Sequence, residues 1–190
     1  MSRGLVLASQ SPRRRELLSA LGITFEVVAS GATELKGEGM NPEDLAQKNA
    51  RLKALWVAER QPDRWVLGSD TVVALETDIF GKPDSMEHAE SMLTRLQGRI
   101  HRVITGVCLV RQQESREETW FEVTKVGFRH LTLEQIRDYL ARINPLDKAG
   151  AYAIQDDGER IVSRVEGSLS NVVGLPLESL ELRFQRLGVV

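Results

Sequence analysis

The feature that most constrains the fold is the run of residues 65–75, WVLGSDTVVAL, which is long and mostly apolar. Apolar runs of this kind are typical of strands in the middle of a sheet. The polar group Gly68-Ser69-Asp70 interrupts the run near its centre. We therefore predict a central strand that carries a carboxylate, that of Asp70, at a break.

Strand and helix patterns alternate around this run. Strands are predicted at residues 5–8, 25–29, 102–111 and 120–130, and near Ala153 and Ile161. Helices are predicted at residues 12–21, 42–61, 84–96, 132–143 and 176–187. Loops are expected at residues 31–39, 112–118 and 144–152. This order predicts an α/β fold with a mixed sheet, in one domain over residues 1–190.

Two kinds of local signal mark helix starts. Ser11 precedes Pro12, which suits a capping residue before the first helical position. Capping-box spacing occurs twice, in Asp84 with Glu87 and in Thr132 with Gln135. We expect these residues to begin their helices.

Composition excludes several classes of protein. With 42% hydrophobic and 27% charged residues the chain is an ordinary globular one, and its net charge of -2 provides no field to attract nucleic acid or an anionic membrane. No stretch has the length of a membrane span, and residues 5–8 are too short for a signal-peptide core. The single cysteine, Cys108, has no disulfide partner. We expect a cytoplasmic protein without membrane or nucleic-acid partners.

A basic cluster stands where the first strand ends and the first helix begins. Arg13, Arg14 and Arg15 fall in the first helical turn, where the helix dipole disfavours positive charge. A bound phosphate would offset this cost, because it accepts hydrogen bonds from helix N–H groups, serine hydroxyls and guanidinium groups together. The alternative is that the arginines face solvent or pair with Glu16.

Asp70 is the strongest candidate for chemistry. A carboxylate within an apolar run must be paired or bind a metal, because burying it alone is costly. It could hold a divalent cation or accept the proton of an attacking water. The alternative is a hydrogen-bonded turn aspartate. Lys53 and Lys82 could neutralise a triphosphate, and Glu34 could be a second metal carboxylate, although isolated charges are more often solvated.

The segment 147–155 combines small and polar residues, which allows a backbone to approach a ligand closely. Its last residue, Gln155, could recognise a base edge through its amide. The three histidines, His88, His101 and His130, match no zinc spacing, so we expect surface or packing roles for them.

Six segments together resemble the Maf family of nucleotide pyrophosphatases across nearly the whole chain. They are residues 7–14 (LASQSPRR), 68–73 (GSDTVV), 81–83 (GKP), 105–107 (TGV), 147–152 (DKAGAY) and 172–176 (VVGLP). The resemblance implies two lobes around an elongated mixed sheet with a deep cleft, similar to the inosine triphosphate pyrophosphatases, and often a homodimer. It also implies hydrolysis between the α and β phosphates with Mg²⁺ or Mn²⁺.

The resemblance also implies roles for individual residues. Asp70 matches the proton acceptor, and Glu34 matches an acidic position near the metal that Asp70 would share. The phosphate-facing positions are matched by Ser9, Arg13, Arg14, Lys53 and Lys82.

Within the family, the chain is most similar to the branch that acts on dTTP and UTP. The specificity positions of that branch correspond to Arg13, Thr71 and Gln155, but Asp156 stands where a glycine commonly follows the glutamine. Two other interpretations remain: a nucleotide- or nucleic-acid-binding regulator of septation, and a house-cleaning enzyme for nucleotides such as 7-methyl-GTP or ITP.

Overall fold

The computed structural model describes residues 4–37 and 39–189, which contain one seven-stranded mixed sheet with flanking helices. The strands are β1 (Leu5–Leu7), β2 (Phe25–Val27), β3 (Trp65–Leu75), β4 (Asp78–Phe80), β5 (Ile100–Arg111), β6 (Arg116–Phe128) and β7 (Val162–Glu166). The helices are α1 (Pro12–Ala20), α2 (Pro42–Ala58), α3 (Met86–Leu96), α4 (Leu133–Leu140), α5 (Leu169–Val173) and α6 (Leu177–Leu187). The predicted α/β class with a mixed sheet is confirmed.

The order of strands in the sheet is β2-β1-β3-β5-β6-β7, and β4 also pairs with β3. Strand β1 runs parallel to β2 and β3, whereas β3, β5, β6 and β7 are successively antiparallel. None of the helices in the described part of the chain is long and apolar enough to cross a membrane.

Strand β3 is central, as predicted, but the predicted break in it is wrong. The strand runs without interruption from Trp65 to Leu75 and pairs with β5 over most of its length. The interruption lies on its other edge, where β1 pairs with residues 65–67 and β4 with residues 73–75. Within the described chain no strand pairs with residues 68–72 on that edge. A gap in the sheet therefore opens beside Asp70.

Helix α2 covers one face of the sheet, and its backbone lies unusually close to the backbones of β3 and β5. Ala46, Ala50 and Ala54, one turn apart, are fully buried on this helix. A Cβ atom on Gly106 would lie 2.2 Å from the carbonyl carbon of Ala46, and one on Gly68 would lie 2.2 Å from the carbonyl oxygen of Ala50. Only glycine allows the helix backbone to approach the strands this closely.

Two apolar clusters cover the opposite face of the sheet. One packs α1 and α6 against β3 and β5, and the other packs α3 and α4 against the far end of the same strands. His101 is buried beside the second cluster, where its Nε2 lies 2.8 Å from the Tyr152 hydroxyl. Burial lowers the pKa of His101 to about 4, so the ring is neutral at physiological pH. This agrees with the packing role predicted for the histidines.

Several local predictions need correction. Ser85, not Asp84, caps α3, since its hydroxyl accepts the His88 N–H. The capping box of Thr132 and Gln135 is confirmed. No strand forms near Ala153, because its backbone N–H and C=O both bond to the Tyr139 hydroxyl rather than to a neighbouring strand.

Three further differences concern short elements. The strand expected near Ile161 is present as β7, and the loop expected at 112–118 is shorter because β6 begins at Arg116. Strand β4 and helix α5 have three and five residues and were not predicted. The loop expected at 31–39 lacks helix and strand among its described residues, while Glu38 lies outside them.

The contact between α2 and the sheet can be tested through Gly106. We predict that Gly106→Ala lowers the free energy of unfolding by about 1–3 kcal/mol, because the added methyl group overlaps the α2 backbone. Urea denaturation measures this change. Gly81→Ala is the matched control, since a Cβ there meets no heavy atom within 4 Å. Equal stability of the two variants would contradict the close approach of α2.

Candidate active site

A cleft of about 780 Å³ opens at the gap beside β3. It is lined by the start of α1, residues 34–36, α2, β3, residues 81–84 and residues 147–155. Eight of the nine site residues predicted from the sequence line this cleft: Arg13, Arg14, Glu34, Lys53, Asp70, Thr71, Lys82 and Gln155. The ninth, Ser9, lines an adjoining cavity of about 270 Å³ together with both arginines, both lysines and Glu34. The fold therefore brings all nine side chains together.

The Asp70 carboxylate is held from the α2 side. It is 7% exposed, and its Oδ1 accepts a hydrogen bond of 2.6 Å from the Lys53 ammonium. Its Oδ2 lies 3.3 Å from the Asn49 amide nitrogen. Asp70 and Gly68 share the sheet face that α2 covers, because side chains alternate along a strand. The carboxylate is therefore paired, as its burial requires.

Lys53 joins two carboxylates. Besides Asp70, its ammonium lies 3.0 Å from Oε1 of Glu34 in the loop before α2. Glu34 is about half exposed at the mouth of the cleft, whereas Lys53 is mostly buried. The ammonium thus draws the loop carboxylate toward Asp70.

Asn49 was not among the residues predicted from the sequence. It is 3% exposed, and its amide forms two hydrogen bonds with the backbone of Leu35, accepting from the N–H at 2.8 Å and donating to the C=O at 3.2 Å. It lies one turn before Lys53, so both side chains leave α2 on the same side. The sequence did contain a signal for Asn49, because two polar residues one turn apart stand among alanines that the helix buries. Asn49 therefore anchors the loop that contains Glu34 to α2, the helix whose side chains hydrogen-bond with Asp70.

The side chains around Lys53 include oxygen donors of the kind that the predicted Mg²⁺ or Mn²⁺ ion prefers. Two carboxylates, those of Asp70 and Glu34, converge on one cation, the Lys53 ammonium. Magnesium is usually held by one or two carboxylates together with substrate phosphates, so these residues fit such an ion. In residues 4–37 and 39–189 no group of three histidine, cysteine, aspartate or glutamate side chains could hold a metal ion alone. The fit therefore depends on oxygens from a substrate.

The first turn of α1 presents two arginines to the cleft rather than to Glu16. Ser11 caps the helix and Pro12 takes its first position, as predicted. Arg13 lies 3.4 Å from the Asp147 carboxylate across the cleft. Burial lowers the pKa of Arg14, while the negative charges of Asp70 and Glu34 oppose this shift.

Arg14 also connects two parts of the fold. Its Nε donates to the Gly174 carbonyl at 2.8 Å, and its Nη2 donates to the Thr71 hydroxyl at 3.0 Å. Thr71 in turn lies 3.0 Å from the hydroxyl of Thr105, which donates to the Asn171 carbonyl. The Thr71 hydroxyl is therefore already hydrogen-bonded within the protein.

Lys82 and Gln155 differ from the other site residues. Both are exposed in the cleft, and neither the Lys82 ammonium nor the Gln155 amide has a hydrogen-bond partner within the described chain. Both groups are free to bind a ligand. His88 also lines the cleft near Lys82, a position that its sequence spacing did not indicate.

Comparison with known proteins gives consistent matches over most of the chain. A family model described as Maf-like protein matches residues 4–187. The chain is 49% identical to a dTTP/UTP pyrophosphatase of Myxococcus xanthus, over 97% of this chain and 93% of that protein. It is 45% identical to one of Geotalea uraniireducens, over 98% and 96% of the two chains. It is 41% identical to one of Bacillus anthracis, over 98% and 97%.

A solved structure, described as that of a HAM1 protein from Coxiella burnetii, is similar over 66% of this chain and 72% of its own, with a TM-score of 0.45 and 14% sequence identity.

The anchoring role of Asn49 is testable by hydrogen exchange. We predict that Asn49→Ala raises the exchange rate of the Leu35 amide by at least about tenfold, because this amide loses its acceptor and the loop its tether. Amides of β3 and β5 should keep their protection. Lys48→Ala, at an exposed neighbouring position on α2, is the control. Unchanged exchange at Leu35 in the Asn49 variant would show that the loop is held by other contacts.

Proposed function

The chain belongs to the Maf-like protein family, and from that premise we propose that it is a nucleoside triphosphate pyrophosphatase acting on dTTP and UTP. The products would be the nucleoside monophosphate and pyrophosphate. The relatives that match nearly the full chain at 41–49% identity carry the name dTTP/UTP pyrophosphatase. The observation that supports this function most is the Asp70 carboxylate, held by Lys53 and Asn49 in a cleft that is also lined by several cationic side chains.

The phosphate chain would bind at the cationic end of the cleft. The side chains of Arg13, Arg14, Lys53 and Lys82 line this region, and the N-terminus of α1, which also lines it, favours negative charge. The positive charges of these side chains would attract the anionic phosphate chain. They would stabilise the additional charge that develops on the pyrophosphate leaving group.

Asp70 would act on the attacking water. Its carboxylate accepts the proton as the water oxygen bonds to the α phosphorus, and the bond from that phosphorus to the bridging oxygen breaks. Lys53 and Asn49 fix the orientation of the carboxylate, which favours in-line attack. We propose that Asp70 and Glu34 would hold Mg²⁺ or Mn²⁺ as the cofactor of the enzyme. The ion would act as a Lewis acid that polarises phosphate oxygens.

The base would lie near Gln155. The free amide of this residue offers an NH₂ donor group beside an oxygen acceptor. Thymine and uracil both present an acceptor at O4 beside a donor at N3, which an amide complements when its NH₂ faces O4. Cytosine presents the opposite pattern at these atoms, so selection of the two proposed bases requires the amide to be held in that one orientation.

Two further properties follow from the proposal. A reducing cytoplasm suits a chain whose single cysteine, Cys108, is a buried free thiol. The family resemblance leads us to propose a homodimer, which sedimentation velocity would detect as a doubled mass, whereas a monomer mass would reject it.

The role of Asp70 can be tested by substitution. We predict that Asp70→Asn lowers kcat for dTTP and UTP by at least about 100-fold, because the amide cannot accept the proton of the water. KM should stay within about threefold, since the phosphate contacts remain. Pyrophosphate release from dTTP, UTP, CTP, 7-methyl-GTP and ITP with Mg²⁺ or Mn²⁺ is the measurement.

Glu117→Gln is the matched control for Asp70→Asn. It removes a carboxylate that pairs with Arg51 of α2 outside the cleft, so activity should persist. Weak binding with normal turnover in Asp70→Asn would remove Asp70 from the chemical step. Failure of the wild-type protein to hydrolyse any nucleotide in the panel would instead favour the regulatory interpretation.

A further inference from the structure

A buried lysine in the cleft wall has no part in the chemistry described above. Lys148 is 6% exposed, and its ammonium contacts three oxygens. These are the Asn144 carbonyl at 2.7 Å, Asp147 Oδ1 at 2.9 Å and Asp156 Oδ2 at 3.5 Å. The first two contacts are hydrogen bonds, and the third is an ion pair. A buried lysine with these partners links parts of the fold and is not a solvated surface charge.

Lys148 connects two stretches of the cleft wall. Asn144 and Asp147 belong to the short helical turn that ends at Lys148. Asp156 belongs to the segment 153–157. That segment contains Gln155, whose amide has no protein partner in the described chain. The pair of Lys148 and Asp156 therefore holds the residue next to Gln155 against the turn.

A second contact fixes the other side of Gln155. The Ala153 N–H donates to the Tyr139 hydroxyl at 3.2 Å, and the hydroxyl donates to the Ala153 carbonyl at 3.1 Å. Burial raises the pKa of Tyr139 to about 12, which keeps this hydroxyl protonated. Gln155 thus lies between two anchors, one rigid and buried at Ala153 and one ionic at Asp156.

The two carboxylates that follow Gln155 are both compensated. Asp156 pairs with Lys148, and Asp157 lies 3.3 Å from Nε of Arg160. Only the first pair involves a residue that lines the cleft. Their charges therefore do not face a polyanionic substrate unpaired, although each lies within two residues of Gln155.

We propose that Lys148 and Asp156 are positioning residues for base recognition, whose ion pair holds Gln155 toward the nucleobase. This inference rests on the proposed function and deepens it, since it names what sets base discrimination. Loss of Asp156, which is about half exposed, leaves Lys148 hydrogen-bonded to Asn144 and Asp147, so it should alter selectivity more than folding. Asp70 and its partners belong to β3 and α2, so the chemical step should be largely unaffected.

The test compares Asp156→Ala with Asp157→Asn, which removes a neighbouring carboxylate of similar exposure and keeps a side chain that tolerates the positive φ of residue 157. We expect Asp156→Ala to raise KM for UTP about fivefold with kcat within about twofold, an effect of the size of one pairwise contact. The ratio of kcat/KM for UTP to that for CTP should fall by a similar factor. Asp157→Asn should match the wild-type protein in each quantity.

A double-mutant cycle separates positioning from a general structural effect. If Asp156 acts through Gln155, Asp156→Ala should change KM for UTP no further in a Gln155→Ala background. Additive effects of the two substitutions would overturn the proposal. So would an unchanged KM and an unchanged ratio of UTP to CTP in the single variant.

Hydrogen exchange supplies a readout that does not depend on activity. The Ala153 amide, which donates to the Tyr139 hydroxyl, should exchange faster in Asp156→Ala than in Asp157→Asn, and equal rates would overturn the anchor itself. Hydrolysis of UTP by the wild-type protein with no kinetic change in Asp156→Ala overturns this inference alone. Absence of any hydrolysis by the wild-type protein overturns the proposed function and, with it, the base-positioning role.

Discussion

The contact between α2 and the two glycines beneath it determines the geometry of the whole cleft. Gly68 and Gly106 let the helix backbone approach the sheet at a distance that any side chain would prevent. Asp70 lies beside both glycines, two residues after Gly68 on β3 and opposite Gly106 in the register with β5. A helix held this close brings Asn49 and Lys53 within hydrogen-bond distance of a carboxylate on the strand. The site is thus built from regular elements, which position side chains more rigidly than loops do.

The gap in the edge of β3 makes both faces of the strand accessible to one ligand. Asp70 faces α2, whereas Thr71 faces the opposite layer and joins Arg14 to Thr105. Further along this second network, the Asn171 amide donates to the Val103 carbonyl and to the Thr124 hydroxyl, and so ties β5 and β6 to α5. One layer therefore presents the carboxylate and its lysine, and the other presents the arginine. A nucleotide in the gap would contact both layers, because no strand among residues 4–37 and 39–189 fills the space between them.

The sequence was sufficient to predict the order of the longer elements, the central position of β3 and a set of nine side chains, of which eight line the cleft and Ser9 lines the adjoining cavity. The break was predicted within β3 itself because the residue pattern of one strand does not show where its neighbouring strands end. Asn49 was missed because its partners, Leu35 and Asp70, become neighbours only after α2 packs on the sheet. The strand predicted near Ala153 failed for a similar reason, since a hydroxyl from α4 supplies the hydrogen bonds that a strand would have required.

In the proposed reaction, the paired Asp70 carboxylate directs water to the α phosphorus of a bound triphosphate. Hydrolysis of UTP in water enriched in heavy oxygen, followed by mass spectrometry of both products, shows which phosphorus the water attacks. The heavy oxygen should appear in the nucleoside monophosphate and not in the pyrophosphate, because the new bond forms at the α phosphorus. Heavy oxygen in the pyrophosphate alone would mean attack at the β phosphorus and would contradict the assigned geometry.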